Sequence, residues 1–133
     1  MAGVALVTGG AGFIGSALVD RLLAEDWRVD VVDDLSSGSL ANLAAARAVP
    51  GRRFSFHRLD VTSAGLADLV GRTRPDVVFH LAAQIDVRVS VARPAEDALV
   101  NVVGSLNVFE AALAAGVRKV VFAGSGGTLY GSR

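Results

Sequence analysis

Residues 8–16 read Thr8-Gly9-Gly10-Ala11-Gly12-Phe13-Ile14-Gly15-Ser16, directly after the apolar run Val4-Ala5-Leu6-Val7. An apolar helical pattern opens where the glycines end. Strand, glycine turn and helix in that order turn free backbone N–H groups and the positive end of a helix dipole toward one point, where a pyrophosphate fits. Gly9, Gly12 and Gly15 stand three apart, and each meets a different demand: a sharp turn, close backbone approach to a ligand, and tight packing of helix on strand. With 15 glycines among 133 residues, the spacing alone says little. Its placement between a strand and a helix constrains the chain to an α/β fold.

The rest of the sequence alternates in the same way. Short β-rich runs fall at residues 4–7, 28–32, 54–57, 76–80 and 119–123. Between them lie helical patterns at 13–25, 40–47, 66–70 and 94–115; Ile14, Leu18 and Leu22 trace the 3.6-residue period of the first. Pro50-Gly51 ends the second helix, Gly71 and Gly116 are expected to end the third and fourth, and Pro94 suits a first helical turn. Trp27 is expected in the turn before the second strand. Five strands separated by helices predict a doubly wound, Rossmann-type parallel sheet. Right-handed crossovers and a glycine turn after the first strand favour the order 3-2-1-4-5, with residues 1–133 as one domain.

Composition narrows the function. Thirteen acids balance thirteen bases, which leaves no electrostatic case for nucleic acid or an anionic membrane. Arg52, Arg53 and Arg58 read as solvated surface. The absence of cysteine fits a reducing compartment, and the apolar start lacks the basic flank of a signal peptide. No run of about 18 apolar residues stands out as a membrane span, so a soluble, cytoplasmic chain is expected. His57 and His80 have no metal-ligand partners at useful spacing; both read as structural, and no metal site is expected.

Asp33 ends the second strand, 18 residues after Gly15. There a carboxylate accepts both hydroxyls of an adenosine ribose and repels a 2′-phosphate, which predicts NAD rather than NADP. For Asp34 a ribose contact and plain solvation are equally open. Asp60-Val61 follows the third strand, where the acid would accept an adenine amino group and the backbone would frame the ring.

Taken together, TGGAGFIGS at 8–16, DDLSSG at 33–38, LDV at 59–61, FHLAAQIDVRVSV at 79–91, NVVGSLNVFEAA at 101–112 and GVRKVVFAGSGGTLYG at 116–131 resemble the extended short-chain dehydrogenase/reductases, the NAD-dependent nucleotide-sugar epimerase/dehydratase family, and its 4-epimerases above all. The resemblance runs nearly end to end and in the family's order. It implies that Gly9, Gly12, Phe13, Ile14, Gly15, Asp33, Asp34, Ser37, Gly38, Asp60 and Val61 surround NAD. It further implies that the backbone of Leu81-Ala82-Ala83 passes the nicotinamide-side ribose, with Asn101 near the cofactor and the strand-four loop. Asn is a poor residue inside a helix, which points to a specific hydrogen bond. Gln84, Asp86 and Arg88 match a loop facing the substrate, a nucleotide-sugar and in the 4-epimerases a UDP-sugar. The implied reaction is the interconversion of UDP-glucose and UDP-galactose by transient hydride transfer to NAD.

Family catalysis uses a Tyr-x-x-x-Lys pair and a Ser or Thr, with the lysine lowering the tyrosine's pKa from about 10. This sequence has one tyrosine, Tyr130, and one lysine, Lys119, which cannot form the pair. Tyr130 matches the Tyr-Gly after the fifth strand. Gly126 occupies the usual Ser/Thr position, leaving Ser125 as the candidate hydroxyl, with Thr128 nearby. The expectation is a C-terminally truncated family member that binds NAD without turnover. It is also expected to self-associate through the 94–115 helix or the strand-five edge. Two alternatives are a dehydratase or reductase of the same family, disfavoured by the absence of acids after Ser125, and a non-catalytic NAD-binding module.

Overall fold

Small and β-branched residues form the first strand, β1 (Gly3–Thr8), of the computed structural model, which describes residues 1–125. The other strands are β2 (Trp27–Asp33), β3 (Phe54–Arg58), β4 (Val77–His80) and β5 (Lys119–Phe122). All pair in parallel, in the order β3-β2-β1-β4-β5, as the alternating pattern predicts. Parallel pairing brings every strand's C-terminal end to one edge. The loops that begin at Gly9, Asp34, Leu59, Leu81 and Ala123 therefore share one crest. The winding reverses between β1 and β4, where such sheets open a crevice.

Both faces of the sheet are covered at β1, β2 and β4, so these strands are mainly apolar on both sides rather than alternating, with Thr8, Asp30, Asp33 and His80 as buried polar exceptions. On one side Val7, Val29 and Val31 pack with Val19, Leu22 and Leu23 of α1 (Phe13–Ala24) and with Leu43. Leu43 closes a 3-10 turn (Leu40–Leu43) that runs into α2 (Ala44–Arg47), so the expected 40–47 helix is split. Trp27 opens β2 and packs against this cluster instead of sitting in a turn. On the other side Leu6, Val32 and Val78 meet Leu66, Leu69 and Val70 of α3 (Gly65–Thr73) and Val108, Ala111 and Ala112.

Three further segments differ from the sequence pattern. Helix α3 runs past Gly71 and stops at Arg74, which is left-handed with φ 45°. Pro75 follows, and its ring disfavours helical geometry in the residue before it. A helix that the sequence did not reveal, α4 (Val87–Ala92), begins at Asp86, whose side chain accepts the Arg88 N–H. The expected 94–115 helix is α5 (Pro94–Ala98), a π turn (Leu99–Val103) and α6 (Gly104–Ala114) in continuous succession. Gly116, φ 70°, closes it as expected.

The Pro94–Ala114 helix is long enough to cross a membrane and contains an 18-residue window of mean hydropathy 1.3, although Glu96, Asp97, Asn101, Asn107 and Glu110 interrupt it, so no unbroken apolar run is present there. Here it is part of the layer covering the sheet. Val108, Ala111 and Ala112 face the core, and a Cβ on Gly104 would come within 2.8 Å of Val61 Cγ2.

Candidate functional site

Gly9 turns the chain at the end of β1 with φ 71°, and a Cβ there would lie 2.8 Å from the Ala82 backbone nitrogen. A Cβ on Gly15 would collide with the Gly9 carbonyl oxygen, so α1 rests backbone-to-backbone on the turn. Among the described residues the one close atom around Gly12 is the Gly9 oxygen at 3.3 Å, and none of them covers its outer side. Gly12 starts α1 without a side-chain cap, and the first turn holds no acid. The N–H groups that any helix leaves unpaired in its first turn are thus kept for solvent or a ligand. Phe13 is 92 % exposed at the head of α1, with Ile14 beside it. The cradle fits a dinucleotide's phosphates; Gly9 makes the sharp turn and Gly15 the tight helix packing read from their spacing.

Asp33 is 9 % exposed, and both its oxygens are engaged. Oδ2 accepts the Ala11 N–H and Oδ1 the Leu35 N–H, each at 2.9 Å. The carboxylate therefore ties the glycine turn to the loop after β2. A carboxylate has about four acceptor positions, so capacity remains for a diol. Asp34 Oδ1 accepts from the Ser36 N–H at 2.9 Å and the Ser36 hydroxyl at 2.7 Å, which makes it a turn residue on an exposed loop. Ser37 is exposed on the same loop. A Cβ on Gly38 would meet the Ala11 carbonyl carbon and oxygen at 2.8 Å. The Ala11 oxygen receives the Ser39 N–H at 3.1 Å and Asn42 Nδ2 at 2.9 Å. Ala11 and Asn42 escaped the sequence reading; the one available signal was an asparagine in an alanine-rich helix.

Asp60 Oδ1 accepts the Thr62 N–H and hydroxyl, both at 2.8 Å, and so shapes the turn toward α3. Val61 is a core residue, and its carbonyl accepts Asn107 Nδ2 at 3.2 Å. After β4, Leu81 and Ala82 are half-buried and Ala83 is exposed. His80 is buried and structural, as expected. Its ring bonds Thr8 Oγ1 at 2.6 Å and Ser105 Oγ at 2.9 Å and packs against Phe109 and Phe122. Burial lowers its pKa from 6.5 to about 4. His57 bonds Asp30 Oδ1 at 3.0 Å, while Asp30 Oδ2 is buried without a hydrogen bond.

The Gln84 N–H donates to Asn101 Oδ1 at 2.8 Å, and Asn101 Nδ2 donates to the Gln84 carbonyl at 2.9 Å and Asp97 Oδ1 at 3.1 Å. Both amide hydrogens of Asn101 are thereby committed within the protein, so it acts on the crest through the loop it holds. Gln84 Nε2 reaches Asp97 Oδ1 at 2.8 Å, and its Oε1 accepts the Asp86 N–H at 2.6 Å. Asp86 pairs with Arg88 at 3.0 Å, and that guanidinium holds the exposed carboxyl below its ordinary pKa. These three residues form a capped helix start and an internal network rather than an open loop. Ser125 is exposed beyond β5, at the same crest. Gly126, Thr128 and Tyr130 lie outside the described residues. Among the described residues no three His, Cys, Asp or Glu side chains gather to hold a metal. Cavities of about 370 Å³ between β3 and α3 and about 490 Å³ between α3 and α6 involve no residue of the glycine turn.

An uncapped helix start behind a glycine turn, at the reversal point of a parallel sheet, defines a dinucleotide-binding domain of the Rossmann type. The sequence pattern of the NAD dependent epimerase/dehydratase family matches residues 5–133, and the chain belongs to that family. It is 54 % identical over 127 residues to a UDP-glucose 4-epimerase of Mycolicibacterium smegmatis, covering 96 % of this chain and 40 % of that protein. The UDP-glucose 4-epimerase of Thermotoga maritima, solved with UDP-glucose, superposes with a TM-score of 0.85 at 42 % identity, over 93 % of this chain and 38 % of that one. The Thermus thermophilus UDP-glucose 4-epimerase, solved with NAD, gives 0.82 at 44 %, over 92 % and 38 %. The chain thus spans about two fifths of the length of these relatives.

Proposed function

We propose that this chain is the NAD-binding part of a UDP-sugar 4-epimerase. The observation that carries the reading is the open Gly12 cradle at the uncapped head of α1, beside the fixed carboxylate of Asp33. Backbone N–H groups of the first turn would bind the pyrophosphate, and the free acceptor positions of Asp33 the adenosine ribose. Asp60 Oδ2 would take the adenine amino group. Residues 81–83 would line the nicotinamide-side ribose, where small side chains leave room. NAD, when bound, supplies the hydride acceptor. Likeness to the M. smegmatis, T. maritima and T. thermophilus enzymes supports a UDP-sugar as the substrate of the whole protein.

The 133 residues hold no Tyr-x-x-x-Lys pair, so the chain by itself is expected to bind NAD without interconverting UDP-glucose and UDP-galactose. Ser125 is the hydroxyl nearest the family's Ser/Thr position. The exposed Leu99, Val102, Leu106 and Leu113 of the 94–114 helix, with Phe122 on β5, support self-association. The cysteine-free sequence supports a cytoplasmic setting. Calorimetric titration of the chain with NAD and NADP tests the central reading. NAD should bind at least tenfold more tightly, since the Asp33 carboxylate repels a 2′-phosphate. Equal affinities, or no NAD binding, would overturn it.

A further inference from the structure

Thr8 and His80 face each other across β1 and β4, where both strands end. The hydrogens in the chain of contacts through them follow by elimination. Ser105 Oγ donates to the Asn101 carbonyl at 2.7 Å, which leaves only lone pairs for His80 Nε2 at 2.9 Å; that nitrogen carries the ring's proton. Nδ1 is then an acceptor, and Thr8 Oγ1 donates to it at 2.6 Å. With its one hydrogen committed, the Thr8 hydroxyl oxygen accepts the N–H groups of Leu81 and Ala82, each at 3.1 Å; Leu81 shares its hydrogen with the Thr8 carbonyl, also at 3.1 Å, so the Ala82 N–H is the one that depends on the hydroxyl. The opposite tautomer would leave the Thr8 hydrogen facing only N–H groups. Thr8, His80 and Ser105 are all buried, so water cannot repair a reversed chain. Immediately beside this junction, Gly9 lies against the backbone of Leu81 and Ala82 so closely that a Cβ would not fit.

We propose that His80 is a positioning residue for the dinucleotide site: its Nε2–H ring, held by Ser105, directs the Thr8 hydroxyl and so seats residues 81–83 against the glycine turn. For its ligand the inference rests on the NAD-binding reading above; the seating itself does not. The ring also joins the crest to the covering layer, because Ser105 belongs to α6 and Asn101, one turn earlier, holds Gln84 of the same loop. A buried neutral imidazole suits this task, since a protonated ring would turn Nδ1 into a donor and remove the acceptor that Thr8 needs.

The test is nuclear magnetic resonance of the full chain at pH 7, with Thr8→Val, Thr8→Ser and Ser105→Ala. The imidazole nitrogen shifts of the unaltered protein should show the neutral Nε2–H form, with slow exchange at the Leu81 and Ala82 amides. Thr8→Val should speed exchange at the Ala82 amide at least tenfold, with Leu81 still held by the backbone carbonyl of residue 8, and weaken NAD binding at least tenfold. Thr8→Ser should restore both to within about threefold. Ser105→Ala, although in the covering layer, should weaken NAD binding at least threefold. An Nδ1–H or protonated ring, or a Thr8→Val chain with unchanged exchange at Ala82, would overturn the proposal. So would variants that lower the melting temperature alike and leave both readouts alone. A chain that binds no NAD would overturn the ligand reading only; the tautomer and the Ala82 exchange rate would still decide the seating.

Discussion

Around the glycine turn, polar groups that could face a ligand are already held by the protein. Asp33 is fixed by Ala11 and Leu35, the Ala11 oxygen by Ser39 and Asn42, and the loop after β4 by Thr8 and Asn101. On the outer face of the 94–114 helix the reverse holds. Leu113 is 84 % exposed, and Leu99, Val102 and Leu106 stand exposed with it. One region is pre-organised, so a ligand would meet donors and acceptors already in place. The other carries apolar area that gains stability only when something covers it. The same helix belongs to both, since its inner face supplies Val108, Ala111 and the Ser105 link to the crest.

The contrast breaks most directly at Gly15. A Gly15→Val side chain would drive into the Gly9 carbonyl, and overpacking of backbone against backbone should cost about 3 kcal/mol or more. Urea unfolding would measure that loss, and NAD binding should vanish with it; a stable, binding-competent Gly15→Val chain would show that the turn is not packed as described. Acid comes next. Unfolded histidine takes up its proton near pH 6.5, but His80 in the fold does so near pH 4. Between those values the unfolded chain binds the extra proton, so the stability present above pH 6.5 falls as pH drops through the window. The loss should approach about 3 kcal/mol at pH 4. Urea midpoints across that range and the titration of the His80 resonances check it, and a native midpoint near 6.5 would contradict it. The smallest effect is expected on the outer face. Leu113→Asp should change unfolding free energy by less than about 0.5 kcal/mol while lowering the average mass seen by light scattering. An unchanged mass would remove that residue from any self-associating surface.

The crest was legible in the sequence because its demands are local. A strand, three spaced glycines and the start of a helix lie within the first sixteen residues, and Asp33 ends a valine-rich strand. Long-range effects hid the rest. Val87, Val89 and Val91 alternate like a strand, but the Asp86 cap and the Gln84 network, drawn together by Asp97 and Asn101, make the segment a helix. Gly71 looked like a stop, yet Pro75 acts more strongly by forcing Arg74 out of helical geometry. The π turn at Leu99–Val103 has no local signature; it precedes Gly104, which packs on Val61 from a distant loop. Asp33 was found as a ribose ligand candidate, while its bonds to Ala11 and Leu35 needed the fold to become visible.

Those two bonds make Asp33 the point at which scaffold and ligand reading meet, and calorimetry of Asp33→Ala with NAD probes it. Removing the carboxylate leaves the Ala11 and Leu35 N–H groups without their acceptors and takes away the ribose contact. NAD affinity should fall at least tenfold, about 1.4 kcal/mol. An affinity equal to that of the unaltered chain would contradict a dinucleotide site built on the glycine turn and the end of β2.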